Sequence, residues 1–589
     1  MLNWNPPQAE ALVQNQSILL IGPAGSGKTV TLLEKAKRLA TSGQRVVLTT
    51  FAARVMEYVK QQGQPALTPH IATGQLKAST LYELAANQLA QSGMTLQFAS
   101  NNHVRALLRQ LCAQQGFTGS VEEAEHIIRA AKGRAKKLPE ADRHYGFVKA
   151  YQALLDQLGL SDRHDLVRRH VLGMKDGSVS PLATDWLLLD GLQDATELQM
   201  IWLQMHISKG IKLMLTADDD VTAFGRDGAL GPLAIQQVQG WRDNYELEVL
   251  ELPATYRVPS AIMGALSKQA RLLRTRHPKA ELSQASAPTM QVGQLPAAQF
   301  KGYTNRPSLH AGLVELAQSQ LRIGKRVGFI TRDDFSAAVL THVLQAAGIN
   351  PASFARLIWE NPTPQIVLAS LHILLGQATS AHLSVLLLGV GIPADVVIRA
   401  QNMGVINTPD WLQQGAPLPL EPEDSPTTQA RVAQVRWSLQ AAQALWASRA
   451  LPPPAVFKSL WADMLPLLPE AEQPAALLAL ESLLRLQGKL ADVLPRVLTE
   501  SMPDMTSLIT VAPVREVRNH QFDVAVVVDA SEGRWPKPAS SILGIDHDHE
   551  RRLWLLACSR AKEALVLTTI GEAGPLTREL AQHLGLKIN

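Results

Sequence analysis

Residues 17–50 read SILLIGPAGSGKTVTLLEKAKRLATSGQRVVLTT. An apolar run from Ser17 to Gly22 leads into a glycine-rich loop, the spacing from Lys28 to Ser42 predicts a helix, and a second apolar run covers Arg45 to Thr50. Apolar runs without polar alternation are the mark of strands buried on both faces, so this β-loop-α-β unit implies a parallel sheet. The loop itself, GPAGSGKT, fits the G-x-x-x-x-G-K-[ST] pattern over Gly22, Pro23, Ala24, Gly25, Ser26, Gly27, Lys28 and Thr29. Glycines let backbone N–H groups curl around phosphates, and the following helix presents its positive dipole end. Lys28 is placed to reach the β/γ-phosphates and Thr29 to ligate Mg²⁺. A triphosphate site, ATP with Mg²⁺, is the expectation; a chance glycine turn rarely falls between a buried strand and a helix.

Two further runs end in acids: WLLLD at Trp186 to Asp190, and KLMLTAD at Lys212 to Asp218. The carboxyl ends of parallel strands are where ligands sit in open α/β sheets, and Asp190 is the natural second Mg²⁺-side group. A second α/β unit begins near Arg326 with RVGFITR and resumes at DVAVVVD (Asp523 to Asp529) and ALVLTT (Ala564 to Thr569). Between these lie helical segments broken by proline-rich stretches at Ala416 to Pro426 and Leu451 to Pro454.

The 589 residues exceed what one core supports. A net charge of +4 permits a polyanionic partner without demanding one. Cys112 and Cys558 are far apart and suggest neither disulfide framework nor zinc cluster. With no secretory pattern in MLNWNPPQAEAL, a cytoplasmic location is expected. The charge-poor stretch Asn361 to Ala394 holds two apolar blocks, each shorter than the ~20 residues of a spanning helix, so buried helices and no membrane are expected. His547, Asp548 and His549 are read as a solvated helix start in preference to a metal site.

Asp190 is followed by GLQDATELQ, and with Gln193, Asp194 and Gln199 this segment resembles the DExQDxxxxQ of the UvrD/Rep/PcrA family of superfamily 1 DNA helicases. Other segments follow in that family's order: NPPQ with Gln8 at the adenine-reading position; TTF with Thr50 and Phe51, and STLYELA with Thr80, at DNA-contacting positions; LSDRHDL; TADDDVTAFGRDGA with Phe224; TYR with Arg257; and ERRLWLLACSRAKEALVL with Arg560. The resemblance spans Gln8 to Leu567 and implies two RecA-like P-loop NTPase domains of α/β class, each with a mainly helical insertion. It divides the chain into 1–85 and 165–275 (first RecA-like domain), 86–164 (helical insertion), 276–365 and 500–589 (second RecA-like domain) and 366–499 (second insertion). It implies Arg257 and Arg560 on the γ-phosphate, Gln193 and Gln521 near the nucleotide, and Phe51 and Phe224 as base-stacking rings, with a core position as the alternative, closer for Phe51 than for Phe224. The substrate implied is single-stranded DNA or a tailed duplex.

Departures cluster in the hydrolysis and coupling parts. Gly191 stands where the family has the glutamate that activates water, a loss that typically costs ~10²–10⁴ in rate. Val221 replaces a glutamine linking nucleotide state to DNA, and Arg518, Asn519 and Gln521 stand for Lys, Gly and Glu. Three readings follow: a UvrD-like translocase or helicase; a pseudo-helicase that clamps DNA beside a nuclease or an active helicase; and an RNA-remodelling ATPase.

Overall fold

The computed structural model describes residues 4–51, 66–94, 97–98, 121–157, 159–279, 295–354, 362–403, 425–485, 507–538 and 546–588, with scattered positions between them. Two compact units emerge: residues 1–98, 122–333 and 508–589 form one, and 99–121 with 334–507 the other.

The first unit holds two parallel sheets. Strands β1 (Ser17–Ile21), β2 (Val46–Thr49), β3 (Leu76–Ala78), β4 (Trp186–Leu189), β5 (Lys212–Ala217) and β6 (Leu247–Glu251) form the first, in the order β3-β2-β4-β5-β1-β6. Their unbroken apolar runs are explained by burial on both faces. Leu19, Ile21, Leu187, Leu189, Leu213 and Leu215 enter one core with the helix Glu197–Ile207. Ile18, Leu20, Trp186, Leu188 and Met214 enter another, beneath Leu32, Ala36 and Leu39 of the helix Lys28–Thr41.

In the second sheet, β7 (Ala298–Tyr303), β8 (Val327–Thr331), β9 (Ile509–Pro513), β10 (Phe522–Val527) and β11 (Ala561–Ile570) run in the order β7-β11-β10-β8-β9, every pair parallel. Helix α1 (His547–Cys558) ties this sheet to the first: Arg552 Nε donates to the Asp219 carbonyl at 2.9 Å, and Trp554 Nε1 donates to Gln269 Oε1 at 3.0 Å. The fold is thus the α/β class with two RecA-like sheets.

The second unit is mainly helical. The charge-poor stretch forms Pro362–Leu374 and Ser380–Gly389, whose Val367, Leu371, Leu386 and Leu387 pack with Leu439, Phe457, Leu460 and Trp461. No helix among the described residues is long and apolar enough to cross a membrane.

Candidate nucleotide site

The segment Gly22 to Thr29 leaves the end of β1 as a loop whose turns depend on glycine. Gly25 and Gly27 have φ of 83° and 87°, in the left-handed region. A Cβ at Gly27 would lie 2.5 Å from Gln8 Nε2, so the glycine also admits a close neighbour. Gln8 uses that contact: its Nε2 donates to the Ser26 carbonyl at 3.0 Å while its Oε1 accepts from Asn5 N. Gln8 therefore braces the loop from behind and is itself buried. On the opposite side Thr255 Oγ1 donates to the Ala24 carbonyl, and Tyr256 N donates to the Gly25 carbonyl.

Lys28 Nζ donates to the carbonyls of Gly22 and Pro23 at 2.7 and 2.8 Å, and lies 3.7 Å from Asp218. Burial lowers its pKa to about 8; Asp218 opposes that shift and Lys279 adds to it. Lys279 holds all three carboxylates of Asp218, Asp219 and Asp220 within 2.8–2.9 Å, and Arg276 adds a second cation on Asp220 at 2.7 Å.

Asp190, at the end of β4, gathers three donors. Thr216 Oγ1 is on its Oδ1 at 2.6 Å, while Thr29 Oγ1 and Asn519 Nδ2 are both on its Oδ2 at 3.0 Å. Gly191, next in sequence, has φ 90° and ψ 47°. An added Cβ there meets nothing closer than Gln193 Nε2 at 3.6 Å. The backbone, not space, is what favours glycine, because an L-residue in this region costs about 1–2 kcal/mol.

A cavity of about 280 Å³ is lined by the P-loop from Ala24 to Thr29, by Asp190, Gln193, Asp194 and Asp218, and by Arg257, Arg518, Asn519, Gln521 and Arg560. Both sheets of the unit therefore contribute walls. Arg257 packs against the loop, within 2.8 Å of where a Gly25 Cβ would lie. Arg560 is 2% exposed and gives its guanidinium to the carbonyls of Leu556, Arg518 and His520 and to Ser559 Oγ. In this conformation it organises the loop that carries Arg518 and Asn519. Gln193 Oε1 accepts from Asp218 N at 3.0 Å, and Gln521 is exposed.

The residues expected at a DNA face fall in different surroundings. Thr50 is 2% exposed and lines the same cavity. Phe51 is buried in the core beside Leu81 and Leu84, so its ring is not presented to solvent; the residues that follow it, 52–55, lie outside the described ones. Thr80 caps a helix, its Oγ1 accepting from Glu83 N while Glu83 Oε2 accepts from Thr80 N. Phe224 is half-buried, with the Arg518 guanidinium 4.4 Å from its ring centre.

Sequence reasoning treated Arg518 and Asn519 only as departures and did not find Lys279. Their partners lie far off along the chain, and no local pattern marks such pairs. The expectation of a solvated start at His547 also needs correction in one respect. His547 is exposed, but His549 is 2% exposed, and burial beside Arg515, Arg226 and Arg332 keeps its pKa well below 6.5. Among the described residues no cluster of His, Cys, Asp and Glu is arranged to hold a metal ion.

A P-loop on one parallel sheet, with arginines reaching the same cavity from a second, defines a P-loop NTPase built on two RecA-like sheets. A family model described as an AAA domain matches residues 8–224. DNA helicase II of Escherichia coli (strain K12) is 24% identical over 290 residues, covering 44% of this chain and 39% of the relative. With the ordered motifs, these matches support a resemblance to the UvrD-like superfamily 1 helicases. The activity in the relative's name belongs to that protein, of whose length the match spans well under half.

Proposed function

We propose that this chain is a UvrD-like, ATP-dependent translocase or helicase acting on single-stranded DNA or a tailed duplex, with slow hydrolysis. The observation that carries this reading is the shared cavity, in which Lys28 and Thr29 of the first sheet's loop face Arg257, Arg518 and Arg560. A triphosphate there is drawn to cations on both walls, so its arrival and departure change the force between the sheets. That is the physical requirement for a motor. The domain boundaries read from the sequence, with two helical insertions, belong to the same proposal.

The donor set suits Mg²⁺, which takes oxygen ligands: Thr29 Oγ1 and Asp190 Oδ2 lie 3.0 Å apart, and the buried Ser26 Oγ has no hydrogen-bond partner among the described residues. Thr29 and Asp190 would hold the ion, which neutralises phosphate charge when bound. Lys28, already on loop carbonyls, would transfer to the β/γ-phosphates. Hydrolysis needs a group to take the proton of the attacking water. The three aspartates lining the cavity are each engaged: Asp190 by Thr29, Thr216 and Asn519, Asp218 by Lys279, and Asp194 by the backbone N–H groups of Ala223 and Phe224, which hold it whether or not Arg518 stays on its other oxygen. With glycine at 191, this supports slow turnover.

The test is phosphate release with and without single-stranded DNA, followed by unwinding of a 3′-tailed duplex. DNA-stimulated release that Lys28→Ala abolishes is the expected result. Zero release and zero unwinding would end the motor reading. ATP-tightened strand binding with no turnover would point instead to a clamp working beside a nuclease or an active helicase, and preference for an RNA oligonucleotide would replace the DNA substrate.

A further inference from the structure

Arg518 occupies an unusual junction. It follows the short turn Val514–Glu516 beyond β9, and its side chain is only 10% exposed. Its Nη1 donates to Asp194 Oδ2, its guanidinium lies over the Phe224 ring, and the same side chain lines the nucleotide cavity. The other oxygen of Asp194 accepts from the backbone N–H groups of Ala223 and Phe224, at 2.9 and 3.3 Å. One fully buried carboxylate thus fixes both the segment that carries the ring and the cation that covers it.

A guanidinium binds phosphate oxygens with the same fork geometry it uses for a carboxylate. A triphosphate in this cavity competes with Asp194 for Arg518. If the cation moves to the phosphates, Asp194 keeps Phe224 in place through the backbone N–H groups, while the face of the ring loses its cover. Val221, in the neighbouring turn Asp219–Val221, lines the same cavity but has no polar group with which to follow the phosphates.

We propose that Arg518 is the positioning residue through which nucleotide occupancy reaches Phe224, paired with Asp194 when the cavity is empty of nucleotide and with phosphate when it is filled. The inference rests on the reading above, that the cavity takes a triphosphate and that the chain binds single strands. Exchange of the guanidinium opens one aromatic face, and base–aromatic stacking tolerates any sequence.

The experiment measures the anisotropy of a labelled oligo-dT on the full chain, with and without Mg²⁺ and a non-hydrolysable ATP analogue, alongside direct binding of a fluorescent nucleotide. Wild type is expected to bind the strand roughly 5–150-fold tighter with nucleotide, the usual range of coupling between two sites. Arg518→Met is expected to weaken nucleotide binding and, at nucleotide concentrations that saturate the variant, to bring that ratio within about twofold of unity. Phe224→Ala is expected to bring the ratio to the same level, and the double variant to add nothing further. A wild-type-sized ratio in Arg518→Met overturns the proposal, as does a wild type that binds both ligands without any shift. Arg518→Lys carries the test if the methionine variant does not fold. It keeps a charge against Asp194 but lacks the flat face over the ring, so an undiminished ratio there also overturns the proposal. A wild type that binds neither strand nor nucleotide sinks the functional reading, and the inference with it.

Discussion

Two loops of the first sheet invite comparison: Gly22 to Thr29 after β1, and Asp190 to Asp194 after β4. Both leave the carboxyl end of a buried parallel strand, both turn on glycines with positive φ, and both line one cavity. The first keeps every residue of the G-x-x-x-x-G-K-[ST] pattern. In the second the Mg²⁺-side carboxylate is present, but the next residue is Gly191 in a left-handed conformation. Under the proposed function, phosphate holding and water activation are separable in this fold, because they would reside on different strand ends and answer to different backbone constraints.

The comparison is broken most severely by giving the second loop what it lacks. Gly191→Glu is expected to raise phosphate release by up to ~10²–10⁴, the usual contribution of a general base. It is also expected to lose about 1–2 kcal/mol of stability, because the backbone at φ 90° disfavours an L-residue. Gly191→Ala separates the two effects, with the same stability loss in denaturant and no gain in turnover. Equal turnover in the alanine and glutamate variants would mean that the loop holds the carboxylate away from the water.

The first loop is tested by Lys28→Ala. Charge-assisted hydrogen bonds contribute about 1.5–3 kcal/mol, so nucleotide affinity is expected to fall roughly 10–150-fold by the same figures. Thermal stability should hold or rise, since the amine is charged at a cost in its buried site. A variant that binds nucleotide as wild type does would show that this loop does not carry the phosphates.

How much of this was legible in the sequence depends on range. The P-loop, its flanking strand and its helix were readable because eight consecutive residues and their neighbours suffice. Asp190 was readable as the acid that ends a buried strand. Arg518 on Asp194 was not, because the pair spans 324 positions and either residue alone looks like an ordinary polar one. Phe51 illustrates a different barrier: a ring that stacks on bases and a ring that fills a core are the same residue type, and only geometry separates them. Thr80 was read through a motif, whereas the Thr80–Glu83 spacing already described a capping box.

Lys28 also gives the comparison a pH axis. Burial holds its pKa near 8 against an ordinary 10.5. Phosphates favour the charged form, so nucleotide binding is expected to take up a proton above about pH 8, and affinity to fall there by up to about tenfold per pH unit until the raised pKa of the complex is reached. Titration calorimetry in buffers of different ionisation heat measures the uptake directly. The free protein should move the opposite way. Between pH 8 and 10.5 the unfolded chain binds more protons at this lysine than the folded one does, so this group's contribution to stability rises with pH. An affinity that is flat across the window would place the amine outside the phosphate contact.

The smallest effect is expected where the second sheet touches the second loop. Asn519 Nδ2 shares Asp190 Oδ2 with Thr29 Oγ1, and that oxygen is the one proposed above for Mg²⁺. In the present arrangement the amide and the ion compete, so removing the amide should favour the ion. Asn519→Ala is expected to tighten Mg²⁺-dependent nucleotide binding by about fivefold, corresponding to the ~1 kcal/mol net worth of one hydrogen bond, with little change in affinity when Mg²⁺ is withheld. The metal dependence is what makes the measurement decisive. A gain present equally with and without Mg²⁺ would mean that Asn519 acts on the phosphates and not on Asp190. Weaker binding only in the presence of Mg²⁺ would mean that the amide turns to offer its oxygen to the ion, making the second sheet a contributor to metal binding that the second loop cannot complete alone.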